Sequence, residues 1–99
     1  PPMPSSYENE MLLGGDSLYL NSTTSNTYEL AVKEFGKNGC AIVEITNMDT
    51  NKSISEIIQT GYRQKFAFGN ETLDLQVSEL FDGVDEKFLE ISAKTYLNE

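Results

Sequence analysis

The stretch Gly69-Asn-Glu-Thr-Leu-Asp-Leu-Gln-Val-Ser-Glu-Leu-Phe-Asp-Gly83 carries the clearest pattern in the chain. Leu73, Leu75 and Val77 alternate with Thr72, Asp74, Gln76 and Ser78. A period of two puts successive side chains on opposite faces of an extended strand. The reading is therefore a strand with Leu73, Leu75 and Val77 in the core and Asp74 and Gln76 in solvent. Gly69-Asn70 turns the chain into it, and Phe81-Asp-Gly-Val-Asp85 turns it out.

The same grammar repeats on either side. Tyr28, Leu30 and Val32 alternate with Glu29, Ala31 and Lys33, and Ala41, Val43 and Ile45 return after Asn38-Gly39, a strong hairpin signal. Ser17-Leu-Tyr-Leu20 is a short strand. Tyr62, Phe66 and Phe68 fall on one side of a further strand, with Arg63 and Lys65 on the other. Asn21-Ser-Thr-Thr-Ser-Asn26 and Asn47-Met-Asp-Thr-Asn-Lys52 read as polar turns.

Two segments fit both periods. Ser53-Ile-Ser-Glu56 has capping-box spacing, and Ile54, Ile57 and Ile58 fit a helical stripe, yet residues 53–60 are equally a short strand. Residues 86–97 satisfy either Leu89, Ala93, Tyr96 and Leu97 as a helix or Leu89, Ile91, Ala93, Thr95 and Leu97 as a strand. Short strands with frequent turns and no strand–helix alternation predict an all-β fold. The expected architecture is a single antiparallel or mixed β-sandwich, or a barrel-like variant of it, with short loops. Residues 1–10, rich in Pro, Ser, Asn and Glu, read as a linker or tether, and residues 11–99 as one domain. Ninety-nine residues suffice for one modest core.

Composition narrows the function classes. Sixteen acids against seven bases give a net charge of −9, which repels nucleic-acid phosphates and anionic lipid. No run reaches the ~18 apolar residues of a membrane span, and no signal peptide is visible. The chain has no histidine, so it lacks the usual proton shuttle near neutral pH and the commonest transition-metal ligand. No nucleophile elbow or phosphate-cradling glycine loop occurs. The single cysteine, Cys40, opens an apolar run and reads as a small buried hydrophobe. Asn47, Asp49 and Asn51 alternate as calcium ligands do, but the sixth and twelfth positions of that motif are Lys52 and Ile58. No catalytic, cofactor or metal residue is assigned; a polar turn is the reading at Asp49 and Asp82. Three triplets, Asn21-Ser-Thr23, Asn51-Lys-Ser53 and Asn70-Glu-Thr72, fit the glycosylation pattern, each in an expected turn.

The order of motifs resembles the domain of surface-layer (S-layer) proteins of methanogenic archaea and related archaeal cell-surface proteins. Its opening is matched by Leu13-Gly-Gly-Asp-Ser-Leu18, its Tyr-x-Leu-x-Val strand by Tyr28-Glu-Leu-Ala-Val32, and the partner strand by Ala41-Ile-Val-Glu-Ile45. The later matches are Gly61-Tyr-Arg-Gln-Lys-Phe-Ala-Phe68, Leu73-Asp-Leu-Gln-Val77, Phe81-Asp-Gly83 and Phe88-Leu-Glu-Ile-Ser92. The resemblance implies a β-sandwich, a strand over residues 88–97, and an extracellular, cell-surface location. It implies a non-enzymatic structural or assembly module, glycosylated at Asn21, Asn51 or Asn70, whose partners are other copies or domains of cell-surface protein, meeting through exposed strand edges and faces. A second class of function is an extracellular module that binds carbohydrate or a partner protein, for which Tyr7, Tyr19, Tyr62 and Tyr96 are the candidate aromatics. An enzyme built on Cys40 or a carboxylate pair ranks last.

Overall fold

The computed structural model describes residues 4–22, 24 and 26–98. Eight strands follow in order: β1 (Ser6–Leu13), β2 (Ser17–Asn21), β3 (Thr27–Phe35), β4 (Cys40–Asn47), β5 (Lys52–Gln59), β6 (Arg63–Phe68), β7 (Glu71–Asp82) and β8 (Lys87–Leu97). Every pairing is antiparallel. They form two four-stranded sheets, β1-β8-β7-β6 and β2-β3-β4-β5, packed together without closing into a barrel. The chain crosses between sheets after β1 and after β5, and each crossing takes only three residues (Gly14–Asp16, Thr60–Tyr62).

Both ambiguous segments are strands. β5 pairs with β4 in unbroken register from Cys40↔Gln59 to Asn47↔Lys52, and β8 lies between β1 and β7. An isolated helix of two turns is marginal in water, whereas a strand beside β4 satisfies its backbone and buries Ile58 at the same time. Part of the segment read as a tether is strand. Residues 1–3 lie outside the described residues, but Ser6–Glu10 form the first half of β1 on the edge of β8. Alternation is hidden there by a bulge between Tyr7 and Glu10, with Asn9 at φ 52°.

The stretch that opened the sequence reading is the start and body of β7. Leu73, Leu75 and Val77 are buried as expected, against Leu30, Val43, Ile45 and Leu89 among others. The strand does not stop at Val77. A bulge between Val77 and Glu79 shifts the phase so that Leu80, not Glu79, re-enters the core, and pairing continues to Asp82↔Lys87. The turn is thus confined to Gly83–Glu86. The Phe81-Asp-Gly83 motif has a steric reason. A Cβ on Gly83 would lie 2.6 Å from Phe81 Cε2 and 3.0 Å from the Glu86 carbonyl oxygen, so the ring occupies the space only glycine leaves.

At the β3–β4 hairpin, Asn38 and Gly39 take φ of 64° and 73°, the left-handed values such a turn needs. Cys40 is half-buried rather than interior. It stands in phase with Ile42 and out of phase with Ala41, Val43 and Ile45, which fill the core.

The four edge strands are all guarded against pairing with another chain. β1 is bulged; β2 has five residues and is tied to β1 by Asn21 N–H to the Pro4 carbonyl and by Tyr7 Oη–H to the Tyr19 carbonyl. β6 carries Arg63 and Lys65 on its outer side, and β5 has Glu56 on its inner face, opposite Val43.

Candidate functional site

The three glycosylation asparagines gather at one pole of the sandwich. Asn21 ends β2 and pairs with Thr27, whose neighbour Tyr28 pairs with Asn47 at the β4–β5 turn that holds Asn51. Tyr28 in turn reaches Glu71, next to Asn70 in the β6–β7 turn. The three differ in access. Asn51 is exposed with φ 62°, and Asn70 is exposed. Asn21 is half-buried inside a strand, and its Oδ1 accepts a hydrogen bond from Thr27 Oγ1 at 3.1 Å. The residues that complete the triplets also depart from a simple turn: Glu71 and Thr72 are buried in β7, Ser22 is buried, and Thr23 lies outside the described residues.

Glu71 is the most unusual residue at this pole. Its side chain is fully buried between the two sheets, and among the described residues no cation pairs with it. Tyr28 Oη–H donates to Oε1 at 2.7 Å, Thr24 Oγ1–H donates to Oε2 at 2.9 Å, and Asn26 Nδ2 stands 3.5 Å from Oε1. Burial pushes this carboxyl up, but the donors from Tyr28, Thr24, Ser22 and Asn26 together bring it below the ordinary glutamate value. The Tyr28 hydroxyl is pushed well above its ordinary value, by burial first and by the Glu71 carboxylate second. The network pins Thr24 and Asn26, which follow β2, onto the start of β7 in the other sheet. Strand parity held the signal: residue 71 shares a face with Leu73 and Leu75.

The other half of the outer surface of the first sheet carries exposed apolar residues. Leu13, Phe88 and Phe81 stand opposite one another on β1, β8 and β7. The Phe81 and Phe88 rings stack at 5.5 Å and 25°. Met11 and Val84 are exposed around them, Val84 almost completely. This patch lies at the pole opposite the asparagines.

Between the poles, the same face forms a groove of about 290 Å³ lined by Arg63, Asp74, Gln76, Ser92, Lys94 and the β1 residues Ser6–Glu8. Asp74, expected in solvent beside Gln76, is only 6% exposed, whereas Gln76 is open. β7 is a central strand, with Lys65 on β6 and Lys94 on β8 as the register partners of Asp74, and with Arg63 in contact with it. Arg63 Nη2 donates to Asp74 Oδ2 at 3.3 Å, while Oδ1 is buried with no hydrogen-bond partner among the described residues.

The candidate aromatics do not form one platform. Tyr7 Oη–H donates to the Tyr19 carbonyl, Tyr62 packs at the core's edge, and Tyr96 sits under Lys65 Nζ at 5.9 Å from the ring centroid. Tyr19 Oη–H is committed to Glu29 at 2.7 Å. The acidic loop residues have structural partners: Asp49 Oδ2 accepts the Thr27 N–H at 2.7 Å, and Asp82 pairs with Lys87 at 3.3 Å. Among the described residues no cluster of three metal-ligating side chains occurs, and no helix is long and apolar enough to cross a membrane.

Comparison with known protein families, curated proteins and solved structures returned no match. The geometry of these three surface features therefore carries the functional reading.

Proposed function

We propose that the chain is a non-enzymatic structural or assembly module of a cell-surface protein of the archaeal S-layer type. The observation that carries this reading is the apolar patch of exposed Met11, Leu13, Phe81 and Val84 around half-buried Phe88. Exposed apolar patches on small domains mark contact surfaces, and here the stacked Phe81–Phe88 pair supplies the aromatic anchor that such contacts use. With every edge strand guarded, assembly runs through this face rather than by strand pairing. The glycosylation triplets at the opposite pole support the extracellular part of the reading, since glycans there leave the patch uncovered. The partner is another copy of the domain or a sister domain of the same surface protein.

Sedimentation at rising protein concentration tests the assembly. Self-association is expected, and Phe81→Lys, which places a charge on an already exposed site, is expected to abolish it while leaving the melting temperature nearly unchanged. A strict monomer at high concentration sinks this reading. Mass spectrometry of protein from its native cells tests the location, with glycan expected on Asn51 and Asn70 and the lowest occupancy on half-buried Asn21. Three unmodified asparagines remove that support.

A further inference from the structure

The groove over the middle of β8 and β7 is not used by the assembly patch or the asparagine pole. Its floor is made of small or neutral outward side chains, Ser92 and Gln76, which face each other across the two central strands. Its walls are long and charged: Arg63 on β6, Lys94 on β8 and Glu8 on the bulged edge strand. Three of the chain's seven basic residues, Arg63, Lys65 and Lys94, stand on this face beside two carboxylates, Asp74 and Glu8, in a protein of net charge −9. That concentration runs against the overall field of the molecule.

Asp74 makes the arrangement a site rather than a solvated ion pair. A buried carboxylate oxygen without a donor is costly, and Asp74 Oδ1 has no partner among the described residues although Lys65 and Lys94 are its register partners on the neighbouring strands. A ligand that brings a hydroxyl donor to Oδ1 removes that cost. The Arg63 guanidinium uses one nitrogen on Asp74 and is otherwise exposed, so its remaining N–H groups are available to an acceptor. Lys94 offers a second cation from two strands away, a span of about 10 Å at ordinary strand spacing. Ser92 Oγ accepts the Asn9 N–H at 3.0 Å, which leaves its hydroxyl hydrogen free to donate.

We infer that this groove is a binding subsite for an acidic sugar unit, a hexuronate whose ring hydroxyl donates to Asp74 and whose carboxylate is held by Arg63 and Lys94. Tyr7, the one aromatic residue among those lining the groove, packs against the core with its hydroxyl on the Tyr19 carbonyl, so it offers no open stacking face; ion pairing must then supply the affinity, which favours an anionic sugar over a neutral one. The flexible Arg63 and Lys94 side chains move aside to admit it, with the strands unchanged. The site is independent of assembly through the Phe81 face.

The test is titration of isotope-labelled protein with glucuronate, glucose and inorganic phosphate, following backbone amide shifts. Glucuronate is expected to bind in the millimolar range and to move the amides of Asp74, Gln76, Ser92 and Lys94. Arg63→Gln and Asp74→Asn are each expected to weaken it about tenfold, with the rest of the amide spectrum unchanged. Arg63 is exposed on an edge strand, so its variant keeps the test valid even where a change at Asp74 perturbs folding. Phosphate binding as well as glucuronate, or glucose binding equally well, overturns the acidic-sugar assignment. Titration with no shift at these amides overturns the site altogether.

Discussion

Leu75→Ala is expected to lower the unfolding free energy by about 2–5 kcal/mol, the usual cost of truncating a fully buried leucine. Leu75 is 1% exposed, sits at the centre of β7, and lies between Gln64 on β6 and Ala93 on β8. Its neighbours across the interface come from the other sheet, so the cavity opens in the seam that holds the sandwich together. Against a typical stability of about 5–15 kcal/mol for a small domain, that loss is a large fraction. Gln76→Ala, one residue along on the open face, is expected to change stability by less than about 0.5 kcal/mol. Urea unfolding of the pair measures the contrast. Equal effects would mean that the inward phase of β7 is misassigned.

Tyr28→Phe is the second large effect. It keeps the ring packed edge-on against Phe68 at 5.1 Å and removes only the hydroxyl that donates to Glu71. A buried carboxylate then loses its shortest hydrogen bond, at a cost of about 1.5–3 kcal/mol. For a chain of this size the melting temperature falls on the order of 10 °C. The same pair gives stability a pH dependence at both extremes. Glu71 is held below its unfolded value, so its contribution is present above the ordinary glutamate value of about 4.3 and is lost as the pH falls through the lower folded one. Tyr28 is held above its unfolded value, so its contribution is present below about pH 10 and is lost as the pH rises beyond it. Denaturant midpoints measured from pH 2 to 7 are expected to fall more gently with acid in Glu71→Gln than in the parent. Parallel curves would show that another carboxylate governs the acid limit.

Much of the fold was legible in the chain. The β3 and β4 repeats with Asn38-Gly39 between them, and Leu73, Leu75 and Val77 in β7, are local patterns whose meaning does not depend on the rest of the molecule. The site features were less legible, and each for a specific reason. Asp74 reads as a solvent residue by parity, yet position on a central strand covers it. Glu71 reads as part of a glycosylation turn, although its parity places it inward. The apolar row Leu13–Phe88–Phe81 joins three strands distant in sequence and has no local signature at all.

Periodicity and turn chemistry by themselves determined that the chain is all-β, which residues face inward along most strands, and where the hairpins turn. They did so because side-chain alternation and left-handed turn residues are short-range constraints. Periodicity fits residues 53–60 and 86–97 either way, and the structure makes Lys52–Gln59 and Lys87–Leu97 strands, since only neighbouring strands supply the hydrogen bonds and the buried face. It alone brought Asn21, Asn51 and Asn70 to one pole, set Glu71 against Tyr28 across the two sheets, and left Asp74 with an unpaired oxygen in a groove lined by Arg63 and Lys94. Those relations depend on strand order and sheet packing, which alternation along a single strand does not encode.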